Sequence, residues 1–191
     1  MKDLEIEIKV QIENDKNLLT FLEEKADFQY EKKQIDEYFS PEHNDYLAKR
    51  PVSEWLRLRD AEGEHSITYK HFHYDSNGLP THADEHETGI GEIKDAKKIL
   101  HALDFRSAAI VDKVRKVWMY EDFEIALDSV KGLGEFVEIE YKGDGEGKTV
   151  DGILQEMIKF LKDINCGEIK RDYRGYPFQL LFPDEGLQEV I

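Results

Sequence analysis

At 191 residues the chain suits one well-packed domain and is short for two, so a single domain over 1–191 is the expectation. Its 26 Lys and Arg against 42 Asp and Glu give a formal net charge of −16, which argues against a nucleic-acid partner held by a basic face and against an anionic membrane surface. Hydrophobic residues at 40% can supply a core, so the charged share of 36% does not imply disorder, and a local basic cluster for a small anion stays open.

The first patterned stretch is Glu5-Ile6-Glu7-Ile8-Lys9, whose alternation predicts a strand with Glu5, Glu7 and Lys9 on one face and Ile6 and Ile8 on the other. No basic-then-apolar leader precedes it, and no run approaches the ~18 apolar residues of a membrane span, so a soluble, cytoplasmic protein is expected. Asn14 or Asp15 can cap a helix that carries Leu18, Leu19, Leu22 and Ala26 on one stripe. Residues 34–40 alternate again and predict a second strand, followed by a polar loop from Pro41 to Pro51.

Residues 53–60 place Trp55, Arg57 and Arg59 on one strand face and Leu56 and Leu58 on the other. The turn at 61–64 joins them to a strand through Lys70 to about Tyr74, a hairpin. A turn from Asp75 to Pro80 leads into a strand over 82–90, on which Glu85 and Glu87 share a face. Helical spacing over 92–104 (Ala96, Ile99, Leu100, Leu103) is followed by strands at about 108–120, with Lys113 and Arg115, and 122–129, ending at Asp128. Gly132-Leu133-Gly134 lacks the Lys-Ser/Thr ending of a phosphate loop and reads as a turn into strand 135–142, where Glu138 and Glu140 alternate with Val137 and Ile139. A helix over 149–164 and an aromatic-rich tail complete the chain. Cys166 is the only cysteine, which suits a reducing compartment, excludes a multi-cysteine zinc site and suggests a packing role.

Eight alternating strands predict an α+β fold: an eight-stranded antiparallel β-barrel with a charged interior and helices packed outside, since closure removes exposed edges. Charges turned inward are tolerable when hydrated, paired, or matched to an ionic ligand. Glu5, Glu7, Asp128, Glu138 and Glu140 offer hard oxygen donors for Mg²⁺ or Mn²⁺. Lys9, Arg57, Arg59, Lys70, Lys113 and Arg115 offer cations for phosphate, and so many suit a triphosphate better than a monophosphate. Metal plus cations around a polyanion is the arrangement of phosphoryl and nucleotidyl transfer. His71 and His73 share a strand face, but no third ligand has clear spacing, so a surface or packing role is expected.

In this order, Glu5-Ile6-Glu7-Ile8-Lys9, Leu56-Arg57-Leu58-Arg59, Ile67-Thr68-Tyr69-Lys70, Glu85-His86-Glu87, Lys113-Val114-Arg115 and the run from Leu127 to Glu140 resemble the CYTH family, the class IV adenylyl cyclases and thiamine triphosphatases among the triphosphate tunnel metalloenzymes. The resemblance implies an eight-stranded triphosphate tunnel. In it Glu5, Glu7, Glu138 and Glu140 hold metal, Asp128 and also Glu85 and Glu87 support it, and Lys9, Arg57, Arg59, Lys70, Lys113 and Arg115 grip phosphates. It also implies a homodimer. The run Asp-x-Val-x-Gly-Leu-Gly-x-Phe-Val-Glu-Ile-Glu looks most like the class IV cyclase branch, which converts ATP to cyclic AMP and pyrophosphate. Leu103-Asp104-Phe105 and Asp172-Tyr173 depart from that branch, which commonly has Leu-Gly-Phe and Ser-Tyr there. An inorganic or thiamine triphosphatase would need the same charged set, and a non-catalytic polyphosphate- or nucleotide-binding module is the reading outside enzymology.

Overall fold

The computed structural model describes residues 6–13, 15–76, 78, 80–185 and 188–191. Glu5 and Asn14, singled out above, lie outside this set, as do Asn77 and Leu79 of the turn after residue 74. The chain divides into two compact units, one made of segments 1–32, 114–175 and 184–191, the other of 33–113 and 176–183. In chain order the elements are β1 (Glu7–Ile12), α1 (Asp15–Lys25), β2 (Asp27–Pro41), β3 (Glu54–Ala61), β4 (Glu64–Tyr74), β5 (Pro80–Ile90), α2 (Ile93–Ala102), β6 (Phe105–Tyr120), β7 (Phe123–Val130), β8 (Gly134–Tyr141), α3 (Val150–Asp163), β9 (Ile169–Asp172), α4 (Tyr176–Leu181) and β10 (Gln188–Val190).

The first unit carries the strand order β10-β9-β1-β8-β7, the second β3-β4-β5, and the long strands β2 and β6 are each divided between the two, at residues 32/33 and 113/114. Every register recorded between neighbours is antiparallel, as in β1 with β8 and β3 with β4. In the first unit, Ile8 and Val10 of β1, Ile125 of β7 and Val137 and Ile139 of β8 pack against Leu18 and Leu22 of α1 and Ile153, Met157 and Leu161 of α3. Each such side chain removed from water stabilises by about 1.5–3 kcal/mol. Thr149 caps α3, its hydroxyl accepting from the Gly152 amide at 3.1 Å. The second unit has a smaller core of Phe39, Leu56, Leu58 and Leu100, the last from α2. Because strand side chains alternate, burying Ile8 and Val10, or Leu56 and Leu58, commits Glu7 and Lys9, or Arg57 and Arg59, to the opposite face.

The α+β, antiparallel architecture is the one expected; closure and strand number differ. Among the described residues there are ten strands, and the order begins at β10 and ends at β5, so the sheet is not a closed barrel. The edges are protected by other means: β10 is three residues long, and β5 is lined with Asp84, Glu85, His86 and Glu87. β2 starts at Asp27 rather than near 34 because residues 27–33 are mostly exposed on both faces, which leaves no alternation to read.

Both departures from the family pattern have a local structural account. Asp104 follows α2 with φ of 61°, a left-handed position where glycine is unstrained and aspartate is among the better-tolerated alternatives. Asp172 is buried and its two oxygens accept from Arg174 Nε at 2.9 Å and Nη2 at 2.6 Å, a fork that serine could not complete.

Candidate functional site

In the first unit the charged strand face is a grid of opposed pairs. Glu7 lies directly opposite Glu140 between β1 and β8, and Glu140 lies opposite Glu124 between β8 and β7. Three glutamates therefore stand in one row across three strands, with like charges on directly facing positions, an arrangement that repels unless a cation intervenes. Lys142 reaches Glu140 at 2.6 Å. The next row is Lys9, Glu138 and Ala126, with Lys9 Nζ 3.3 Å from Glu138. Beside it, Arg115 forks onto Asp128, its Nε donating to Oδ1 at 2.7 Å and its Nη2 to Oδ2 at 2.5 Å, and Nη2 also donates to Glu138 Oε2. Asp128 is fully buried, so this pair holds the guanidinium in a fixed orientation with no water competing for the carboxylate.

The second unit presents cations in the same gridded way. Arg59 lies opposite Asp36 and forks onto it, Nε to Oδ1 and Nη2 to Oδ2, both at 2.6 Å, while Arg57 Nη1 stands 3.7 Å from the same carboxylate. Burial of Asp36 pushes its pKa up, but the Arg59 hydrogen bond and the charges of Arg59, Arg57 and Lys113 outweigh that, leaving it below the ordinary 3.8. Arg57 also donates to Thr68 Oγ1 at 2.9 Å and Glu87 Oε2 at 3.0 Å, and Thr68 donates to the same Glu87 oxygen at 2.6 Å. Those contacts follow from register: Arg57 faces Thr68 and Thr68 faces Glu87. Lys70 pairs with its cross-strand neighbour Glu85 at 2.6 Å. Lys113 is buried, with its ammonium 5.1 Å from the centre of the Tyr176 ring. Arg57 Nε is buried without a hydrogen-bond partner, a donor left available on an otherwise engaged guanidinium.

The sequence-derived set thus falls into two groups. Glu7, Lys9, Arg115, Asp128, Glu138 and Glu140 belong to the first unit, and Arg57, Arg59, Lys70, Glu85, Glu87 and Lys113 to the second. Glu5 lies outside the described residues. Glu85 and Glu87 are engaged by Lys70 and Arg57. Sequence reasoning missed Glu124, Asp36 and Tyr38, and placed Trp55 on the face of Arg57 and Arg59 without a role. Glu124 shares a strand face with Asp128 four residues on and Trp55 with Arg57 two residues on, while Asp36 and Tyr38, which alternate on β2, are picked out only by facing Arg59 and Arg57. The Tyr38 and Trp55 rings meet edge to face, centroids 5.6 Å apart.

The remaining candidates are structural. Gly132 and Gly134 have φ of 86° and 100° in the turn between β7 and β8. Cys166 is buried and its thiol is pushed up to about 11 by burial, so it packs rather than reacts. No helix among the described residues is long and apolar enough to cross a membrane.

Residues 3–176 match the family model of the CYTH domain. A relative from Methanocaldococcus jannaschii, named "Putative adenylate cyclase MJ0240", is 33% identical over 175 residues, which is 89% of this chain and 96% of the relative. Among solved structures, the PH1819 protein from Pyrococcus horikoshii OT3 superposes with a TM-score of 0.73 at 26% identity, covering 95% of this chain and 99% of that one. HpAC1 from Hippeastrum, a "putative adenylyl cyclase" described as having a dominant triphosphatase activity, gives a TM-score of 0.67 at 20% identity over 96% of this chain and 98% of its own, a likeness of fold.

Proposed function

Because the chain belongs to the CYTH domain family, we propose that it is a divalent-metal-dependent enzyme acting on a triphosphate, and that its reaction is the conversion of ATP to cyclic AMP and pyrophosphate. The observation that carries this reading is the strand face of Arg57, Arg59, Lys70 and Lys113, cations held by short bonds to Asp36, Glu85 and Glu87 or buried outright. A surface that keeps guanidinium and ammonium groups buried and oriented is suited to the closely spaced negative charges of a phosphate chain. Fixing the cations beforehand lowers the reorganisation needed as charge develops on the phosphates.

The donor chemistry of the first unit fits Mg²⁺ or Mn²⁺. Glu7, Glu124, Glu138 and Glu140 are hard oxygen ligands in adjacent rows whose mutual repulsion a divalent ion would relieve, and the sequence pattern adds Glu5. When bound, such an ion supplies charge neutralisation of the phosphates and a lowered pKa for a coordinated hydroxyl or water. The chain's own side chains do the rest within each unit: in the first Asp128 fixes Arg115 and Lys9 adds a further cation, and in the second Asp36 fixes Arg59 while Arg57, Lys70 and Lys113 offer positive charge to phosphate oxygens. In the cyclase reaction the 3′-oxygen of ATP bonds to the α-phosphorus while the α–β bridging bond breaks, releasing pyrophosphate and a proton. The Tyr38 and Trp55 rings, on the strand face that bears Arg57, suit stacking of a nucleobase and favour a nucleotide over bare polyphosphate. We also read residues 1–191 as one catalytic domain.

Hydrolysis of tripolyphosphate or thiamine triphosphate is the second reading, favoured by the activity described for HpAC1. Incubating the chain with Mg²⁺ or Mn²⁺ and ATP, tripolyphosphate or thiamine triphosphate, with identification of products, separates these. Cyclic AMP from ATP is expected. Orthophosphate from tripolyphosphate without cyclic AMP transfers the assignment to the hydrolase, and binding with no turnover of any of the three makes the chain a binding module.

A further inference from the structure

The opposite face of the β4–β5 hairpin carries a second cluster that the triphosphate reading does not use. Lys70 and Glu85 point to the phosphate-binding face, so their alternating neighbours His71 and His73 on β4, and His82, Asp84 and His86 on β5, point away from it. Register then brings four of them to the corners of a square: His73 lies directly opposite His82, and His71 directly opposite Asp84. His73 Nε2 is 2.8 Å from Asp84 Oδ2. The His71 and His73 rings have centroids 4.9 Å apart, and the His82 ring stacks on His73 at 4.3 Å with planes 7° apart.

We propose that His71, His73 and Asp84 form a site for a divalent transition-metal ion of the zinc class, with the His82 imidazole adjacent to the fourth position. One ligand atom from each of the three lies within 4.8 Å of the others. Tetrahedral coordination with bonds of about 2.0–2.2 Å sets ligand atoms roughly 3.5 Å apart, so the ion requires only small side-chain rotations. Imidazole nitrogen with one carboxylate is a borderline-soft set that suits Zn²⁺, Co²⁺, Ni²⁺ or Cu²⁺ over Mg²⁺, which distinguishes it from the all-oxygen face of the first unit. His71 and His73 are half-buried and Asp84 is exposed, leaving the ion a route in from solvent. The sequence hid the site because its third ligand comes from the partner strand, through the register of a hairpin rather than through spacing. The ion would join β4 to β5, the terminal strand of the order, and so tie that edge in place.

The proposal is independent of the enzymatic reading, and its test needs no substrate. Isothermal titration of the metal-free chain with ZnCl₂ in excess MgCl₂, which occupies the hard-oxygen groups, is expected to show one tight zinc per chain. The thermal midpoint of the wild type should rise with added zinc, since the ion binds the folded state. His73→Ala and His71→Ala are expected to weaken binding by about a hundredfold and to remove the midpoint rise, with Glu138→Gln leaving both unchanged. Asp84→Asn, an exposed and nearly isosteric change, serves where a histidine variant folds poorly. Co²⁺ bound by the wild type should give the intense visible absorption of a tetrahedral nitrogen and oxygen site, lost in the same variants. No zinc uptake in the presence of Mg²⁺, or uptake unchanged in His71→Ala and His73→Ala, overturns the proposal.

Discussion

The charged faces of the two units handle like residues in opposite ways. In the second unit the cations have built-in counter-charges: Asp36 serves Arg59 and Arg57, Glu87 serves Arg57, and Glu85 serves Lys70. In the first unit Arg115 and Lys9 are spent on Asp128 and Glu138, while Glu7, Glu140 and Glu124 face one another along a row that Lys142 reaches at Glu140. The first arrangement is close to neutral and rigid before any ligand arrives. The second carries surplus negative charge that a divalent cation would offset. The overall charge of −16 is thus a poor guide to either face, because one gathers paired cations and the other carries more carboxylates than cations.

The largest effect should come from the face with surplus charge. Glu138→Ala is expected to lower kcat/KM for the triphosphate substrate by on the order of 10³ or more, with the circular dichroism spectrum unchanged. Activity within threefold of wild type would remove Glu138 from the metal set. On the other face, Asp36→Ala should act first on stability. It leaves Arg59 and the buried part of Arg57 without their counter-charge, a loss of about 3–5 kcal/mol in urea unfolding. The pH dependence follows from the same pair. The pKa of Asp36 is depressed in the folded chain, so its contribution is complete above the ordinary 3.8 and is lost as the pH falls through the lower folded value. Wild type should therefore lose stability below that pH by an amount absent from Asp36→Asn. The smallest effect concerns the nucleobase: Trp55→Ala is expected to raise KM for ATP roughly tenfold while leaving KM for tripolyphosphate unchanged, a split that a purely structural tryptophan would not produce.

Much of this was legible in the sequence. The pairs Arg57 and Arg59, Lys113 and Arg115, and Glu138 and Glu140 announce themselves because strand alternation puts each pair on one face, away from Leu58 or Ile139. Partners were not legible, because they depend on register. Asp36 is one of four carboxylates in its strand and is singled out only because Arg59 sits opposite it. Glu124 gains meaning only when β8 brings Glu140 beside it, and Asp84 only when β5 brings it beside His71. Closure of the sheet was misread for a related reason. β9 and β10 are too short to give a periodic signal, yet they extend the order beyond β1.

The division of labour between the two faces is tested most directly by titrating Mn²⁺ and metal-free tripolyphosphate separately into wild type, Glu138→Gln and Arg57→Ala. Glu138→Gln is expected to weaken Mn²⁺ binding at least about tenfold and leave tripolyphosphate binding intact, with Arg57→Ala showing the reverse. Equal loss of both ligands in both variants, or loss of neither, would contradict the account.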